Sequence, residues 1–549
     1  MSHLLFTFAF AFLFLIAGSP LSLANQIESD LECDLLVVGG TESGWAAAIQ
    51  AARMGVKRIV LVNDIDWLGG QYTAEAVCAL DENRGINRKV PFHRSGLFAE
   101  LTGRFEQFNL EKYGHPQPGN AWTARTTVRP AEAEAIFRAM LQPYLDLGQV
   151  RLYTRFVPER AVMGADKSTL EGLEFRSKDD SSRLLTVRST LTIDASDWGD
   201  AIKLAGAEYE FGVDPRHKYD EPNAPTESDL KLYPRTDMNP ITWCMVIEET
   251  EEEQVIEQPQ HYDDRNYFLT TNTTEEDYRN LGWPHKPHRP FNPPWMPSTG
   301  TFYSGDRTVY SQRRLIDSYG LDLKGDFRDV ILLNWSVQDY PLDVLPKWVN
   351  TELEKNEAGA SRKNIVEMTP EQRQIIFEDA KRQSLGMLYH LQTTVHDRLT
   401  GEQQPHSFRR FRLSREFGTP DHLPPKPYIR ESLRLKAMYM MREQDTRNFN
   451  RKDQYAAAMY YDGIAAWQFP YDFHPTGRAF LDSPSKENPW EISIKPRRTW
   501  NTDSDRAMFP LRSLIPFRVH GLLGAQKNLG YSSIVSSAVR LHDQCVHIG

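Results

Sequence analysis

The sequence predicts an α/β fold in which a parallel sheet with flanking helices is interrupted by an inserted α+β domain. Three observations lead there. An apolar run at residues 34–38, a glycine-rich turn, a helix-forming stretch and a second apolar run follow one another without a gap. At 549 residues the chain is too long for one compact core, so two structural units, interleaved or in series, are expected. Residues 213–240 and 284–299 are rich in proline and polar side chains and suit irregular surface connections.

At the N-terminus, Leu4 to Ile16 is an apolar run of signal-peptide length, followed by Gly18, Ser19 and Pro20. Ser22-Leu23-Ala24 offers the small residues a signal peptidase reads, so residues 1–24 read as a signal peptide and the chain as exported. The run is shorter than the roughly 20 apolar residues that span a bilayer, so no stable membrane anchor is expected. Charged residues make up 25% of the chain and the net charge of −10 is spread along it, which argues against nucleic acid as a partner. The four cysteines, Cys33, Cys78, Cys244 and Cys545, form no CxxC pair. They suggest neither zinc nor a dithiol redox motif, and export would permit one or two disulfides. Asn272-Thr273-Thr274 and Asn334-Trp335-Ser336 are acceptor sequons for a eukaryotic secretory pathway.

Asp34–Val38 is a short apolar run suited to a strand buried on both faces. Gly39-Gly40-Thr41-Glu42-Ser43-Gly44 follows, then the helix formers Trp45–Arg53 with Gly55 as C-terminal stop, then a second strand, Arg58–Val62. This is a βαβ unit of Rossmann type. Gly39 allows the tight turn, Gly44 lets the helix pack close to the sheet, and the helix N-terminus turns unpaired N–H groups toward a diphosphate. Thr41 stands where the middle glycine of G-x-G-x-x-G is usual. Asn63 or Asp64 falls where a carboxylate would bond ribose hydroxyls.

With these residues in place, the chain resembles the FAD-dependent oxidoreductases of the glutathione-reductase-like two-dinucleotide-binding superfamily. The turn Val38–Gly44 is similar to the G-G-T-x-x-G form of that group, and Trp67-Leu68-Gly69-Gly70-Gln71-Tyr72-Thr73 resembles its L-G-G loop beside the flavin. Arg129–Glu134 begins a helix of the kind that precedes the adenine-side strand, which Leu152–Val157 resembles, with Phe156 and Val157 at the adenine. Ile193-Asp194-Ala195-Ser196-Asp197-Trp198-Gly199-Asp200 resembles the family's D-A-[ST]-x-x-G-D motif, followed by a short helix at 201–206. Leu333-Asn334-Trp335 with Asp339-Tyr340, Tyr428-Ile429-Arg430-Glu431 and Asp472-Phe473-His474 resemble further family segments. Pro510–Pro516 and Gly521–Asn528 look like the segment that returns to the flavin, with Gln526 in place of a glycine. The family then continues into a helix whose dipole faces the flavin's pyrimidine edge, and His547-Ile548-Gly549 stands where that helix would begin.

The resemblance implies an FAD-binding domain in two parts, residues 30–215 and 490–549, around a substrate or cap domain at 216–489. The implied cofactor contacts are Gly39, Gly40, Thr41, Ser43, Gly44, Asn63, Asp64, Gly69, Gly70, Phe156, Val157, Ala195, Gly524 and Asn528. Within the cap, Thr369–Thr394 has a helical pattern with Pro370 near its start, and Ser432–Arg442 is a basic helix candidate. The flavin would carry out hydride or electron transfer with a small polar organic substrate and a separate electron acceptor, and the protein would supply a base. His474 is the leading base candidate. Arg430, suited to a substrate oxygen or carboxylate, and Glu431 follow. An ordinary structural role competes for each of the three. His285 and His288 lack a third ligand, so no metal is expected, and no G-x-S-x-G elbow is present. The competing reading of the whole chain is a catalytically impaired flavin-fold protein retained for binding a ligand or partner.

Overall fold

A computed structural model describes residues 30–83, 93–121, 123–228, 230, 236–263, 266–267, 309–335, 338–395, 408–447, 456–474 and 504–549. The expected signal segment, the sequon at Asn272 and the pair His285 and His288 lie outside these residues.

The first strand, β1 (Asp30–Val38), runs into the helix α1 (Glu42–Arg53) and the strand β2 (Ile59–Val62). The alanine-rich sequence of α1 favours helix, Thr41 caps its start, and Gly55 at φ +93° ends it. Helices α2 (Gly96–Tyr113) and α3 (Pro130–Asp146) follow, the second opening on a proline whose missing N–H costs nothing at that position. Next come β3 (Val150–Tyr153), β4 (Phe156–Met163), β5 (Leu170–Ser177) and β6 (Leu184–Asp194).

These strands form one seven-stranded sheet in the order β3-β2-β1-β6-β5-β4, and the strand Leu522–Gly524 adds to β6. Strands β3, β2, β1, β6 and Leu522–Gly524 are parallel, and β5 runs antiparallel to both of its neighbours, β6 and β4. The first half of one β6 edge pairs with β5 and its second half with Leu522–Gly524, in register Thr192 to Leu522 and Asp194 to Gly524. Residues 152–157 are therefore not one strand. Arg155, at φ +63°, lies in the break between β3 and β4, which the strand order places at opposite ends of the sheet.

One face of the sheet packs against α1, α2 and α3 through Trp45, Phe105 and Phe137, and the Trp45 indole N–H donates to the Phe137 carbonyl at 2.9 Å. The other face shares a continuous apolar core with the inserted residues, including Trp198, Trp243, Leu333 and Leu388. The insertion contains a four-stranded antiparallel sheet (Arg314–Ile316, Val330–Leu333, Met245–Glu249, Phe411–Leu413) and the helix Pro370–His390. That helix starts where the sequence placed it: Thr369 and Gln372 exchange capping hydrogen bonds at 3.3 and 3.2 Å, and a π-helical turn, Leu391–Val395, extends it. The architecture is α/β, a Rossmann-like sheet with flanking helices and an inserted α+β unit.

Two expectations need correction. Ser432–Arg442 is extended rather than helical; Arg434 and Leu435 pair with Glu210 and Tyr209. Arg434 is buried against Asp214 and Glu431, and these ion pairs outweigh the local helix preference. The four cysteines are all free and buried, so the disulfides that export would permit are absent. Asn334 of the second sequon is buried at 8% exposure, which withholds its amide from modification in the folded chain.

Candidate functional site

The turn after β1 is built around Thr41. Its hydroxyl donates to the Ala195 carbonyl at 2.8 Å and accepts from the Gly44 N–H at 3.3 Å, so it is consumed in joining β6 to the start of α1. A side chain at position 44 would overlap the Gly39 carbonyl, which is why helix and turn approach so closely only with glycine there. The Gly40 N–H donates to Asn63 Oδ1 at 2.7 Å. The N–H groups of Thr41, Glu42 and Ser43 meet no acceptor among the described residues, although all three residues are buried. Buried, unpaired donors at a helix N-terminus are costly unless an anion completes them.

The remaining predicted contacts gather at the same carboxyl ends of β1, β2, β6 and Leu522–Gly524. Asn63 is occupied: its amide also donates to the carbonyls of Ile65 and Trp67 at 2.8 and 2.9 Å. Asp64 accepts from Lys426 at 2.6 Å, and the same ammonium holds Asp197 at 2.6 Å. Gly69 donates to the Gly40 carbonyl at 2.8 Å and Gly70 opens a short turn beside Glu42. The Phe156 N–H bonds the Asn63 carbonyl at 3.1 Å, and Phe156 and Val157 open β4. Gly524 lies in the closing strand, and Asn528 bonds the Ala525 N–H at 2.9 Å and the Ser196 carbonyl at 3.3 Å. Ser43 donates its hydroxyl to the Cys545 carbonyl at 2.8 Å.

Beyond this seat lies a chain of buried charges contributed by both units. His474 Nδ1 pairs with Asp339 at 2.7 Å and Nε2 with Asp472 at 3.1 Å. Asp339 also receives Arg430 at 2.9 Å and the Thr242 hydroxyl at 2.5 Å. Asp472 receives Arg540 at 2.7 Å, whose second nitrogen donates to the Tyr428 hydroxyl at 2.6 Å. Arg430 and Lys527 stand 4.6 and 5.5 Å from the Tyr428 ring. Burial and Arg430 push the His474 pKa down, yet Asp472 and Asp339 outweigh both and it is raised. Burial likewise opposes ionisation of Asp472, but His474 and Arg540 hold it well below the usual carboxylate range. With a carboxylate against each ring nitrogen, the charged form of His474 is favoured and neither nitrogen is left open to a substrate proton. Glu431 faces elsewhere, bonding the Asn239 backbone and side-chain nitrogens at 2.9 and 3.0 Å and Arg434 at 3.1 Å.

The sequence profile of the FAD dependent oxidoreductase family matches residues 34–549. The chain belongs to that family. Similar solved structures include THI4 of Thermovibrio ammonificans, 14% identical over 34% of this chain and 67% of that one, with a TM-score of 0.23. A 3-ketosteroid-Δ4-(5α)-dehydrogenase from Rhodococcus jostii RHA1 is 15% identical over 33% of this chain and 50% of that one, with a TM-score of 0.19. Sdh1 of Mycobacterium smegmatis is 13% identical over 39% and 45%, with a TM-score of 0.22. The chain thus spans about two thirds of the first and half or less of the other two.

FAD is the cofactor of the family, and the residues present fit it. The three unpaired amides of an oxidoreductase α1 supply what a diphosphate accepts, and the glycine at 44 keeps that mouth narrow. The terminal helix starts sooner than the resemblance suggested, at His542 rather than at His547–Gly549, and spans His542–Ile548. His542 anchors its start: Nε2 bonds the Val77 carbonyl at 2.7 Å, Nδ1 accepts from the Asp81 N–H at 3.1 Å, and burial lowers its pKa.

Sequence reasoning missed five residues that the structure brings to this region: Glu75, Asp339, Asp472, Lys527 and Arg540. Glu75 Oε2 accepts from the Ile429 N–H at 3.0 Å and faces Lys527 at 3.5 Å, and burial pushes its pKa up to about 8 against the pull of Lys527. Their roles were not legible because each finds its partners on distant segments. Asp339 and Asp472 did stand inside quoted motifs, and an acid two residues before His474 was the available signal.

Proposed function

We propose that this FAD dependent oxidoreductase moves a hydride or electrons between a small polar organic substrate and FAD, handing the electrons to a separate acceptor. The observation that carries the cofactor half is the set of buried, unpaired N–H groups at Thr41, Glu42 and Ser43. Gly39, Gly40, Gly44, Gly69, Gly70, Ala195, Gly524 and Asn528 would hold the nucleotide around that seat, with Phe156, Val157 and Asp64 toward its adenosine end. Asn63 acts here through the turn it braces. The flavin, when bound, supplies the two-electron chemistry.

The polar character of the substrate is supported by Arg430, Asp339, His474, Asp472 and Arg540, which meet where the insertion faces the cofactor unit. Of these, His474 and Asp472 retain some exposure, with side chains 21% and 24% accessible. Held between Asp339 and Asp472, His474 would keep this cluster of charges in place and offset negative charge developing on the substrate through its field, not through a hydrogen bond. Glu75, the buried carboxyl beside Lys527, would take the proton in its ionised form, which its raised pKa of about 8 confines to alkaline pH. The strand Leu522–Gly524 within the first sheet supports a cofactor domain in two parts, 30–215 and 490–549, around a cap at 216–489. The run Leu4–Ile16 with Ser22-Leu23-Ala24 supports export.

Purified protein should show the two flavin absorption bands and bleach with dithionite. Anaerobic addition of hydroxy acids, polyols or amines should bleach it without added reductant. Protein that stays colourless after incubation with FAD would overturn this function and leave a binding role.

A further inference from the structure

Glu42 is out of keeping with its setting. Its carboxylate is 0% exposed and stands in the first turn of α1, beside the unpaired amides of Thr41, Glu42 and Ser43. A diphosphate on those amides would bring like charges together in a buried place, where repulsion is far stronger than in water.

Donors from two other segments close on this carboxylate. The Gln71 N–H donates to Oε2 at 3.2 Å, while Gln71 Nε2 and Gln526 Nε2 donate to Oε1 at 2.5 and 2.9 Å. Gln71 Nε2 also reaches the Arg540 carbonyl at 3.1 Å, which ties the cluster to the segment before the terminal helix. A side chain at Gly70 would overlap Glu42 Oε2, so the carboxylate lies directly on that backbone. Gln526 adopts φ +56°, a conformation unfavourable for a residue with a Cβ, and its own Oε1 is buried without a partner. Among the described residues its side-chain amide makes one hydrogen bond, the one to Glu42.

We propose that Gln526 is a positioning residue: with Gln71 it pins the Glu42 carboxylate to the Gly70 backbone and off the seat of the FAD diphosphate. This rests on the reading that the α1 amides hold that diphosphate. Gln526 thus converts a charge that would repel the cofactor into a tether between the first turn of α1 and the segment after the closing strand.

The test uses the full chain freed of FAD and titrated with FAD by flavin-fluorescence quenching, with urea midpoints of the FAD-free protein as a second readout. Gln526→Gly removes the tether and relaxes the backbone. Gln526→Asn tolerates the same φ but is too short to reach Glu42. Both should weaken FAD binding by about tenfold or more with near-wild-type urea midpoints, since only 1.4 kcal/mol of binding corresponds to tenfold. In a Glu42→Gln background, the same changes should cost less than about twofold, because the repelling charge is gone. Unchanged FAD affinity in both single variants would overturn the proposal, as would an equal loss in the Glu42→Gln background. A wild-type chain that takes up no FAD would overturn the diphosphate reading and this one with it. A wild-type chain that binds FAD beside unaffected variants overturns this one alone.

Discussion

Asp339→Asn is the sharpest probe of the charge chain. The wild-type carboxylate is fully buried and holds three donors: Arg430 at 2.9 Å and Thr242 at 2.5 Å on Oδ1, and His474 at 2.7 Å on Oδ2. An asparagine of the same shape keeps an oxygen toward Arg430 and Thr242 but opposes His474 with an NH₂, donor against donor. One charge-assisted hydrogen bond is lost, about 1.5–3 kcal/mol. Arg430, itself 2% exposed, loses its counter-charge, and breaking a buried pair in this way costs about 3–5 kcal/mol. Against a typical total of 5–15 kcal/mol, the expected loss of about 3–5 kcal/mol is severe. It should appear as a lower urea midpoint without a change of slope. The pH dependence supplies a second readout. The His474 pKa is raised above its ordinary 6.5, so its stabilising share is complete below that value and fades as pH rises through the higher, folded one. Asp339→Asn removes one of the two carboxylates responsible, so the decline above pH 6.5 should shrink. A loss under about 0.5 kcal/mol with an unchanged pH profile would refute the charged network.

Gly44→Ala drives a methyl into the Gly39 carbonyl, and it should cost at least about 1–3 kcal/mol and yield protein without flavin absorbance. Asn63→Asp should be more damaging than its conservative look suggests, because a carboxylate cannot donate to the Ile65 and Trp67 carbonyls; thermal unfolding would show it. Glu75 has its folded pKa pushed up to about 8 from 4.5, so the folded chain binds the extra proton and stability falls as pH rises between those values. Glu75→Gln should flatten that fall in urea titrations and slow substrate-driven bleaching. Unfolded without reductant, the protein should react with a thiol reagent at all four cysteines, and the native protein should react slowly at each, because every one is buried and free.

The first βαβ unit was legible because it is local. An apolar run, a glycine turn and an alanine-rich helix state their structure within about thirty residues, and Thr369 with Gln372 marks the long cap helix by the same kind of short-range chemistry. The errors arose where distant partners decide. Ser432–Arg442 carries helix-forming side chains, yet Arg434 is drawn into a strand by Asp214 and Glu431. Asn63 sits where a ribose contact was expected, and its position along β2 gave no hint that all of its amide would be committed to the glycine turn. His474 read as a base from its neighbours in the chain; the carboxylate that fills its second nitrogen comes from Asp339, on another segment altogether.

The strand Leu522–Gly524 occupies the half of the β6 edge that β5 leaves open, and it is made long after its neighbours in the sheet. During synthesis that edge of β6 stays unpaired until most of the polypeptide has emerged. Completion of the sheet is thus a late event requiring closure of a very long loop, a slow step that leaves a sticky margin exposed to other chains meanwhile.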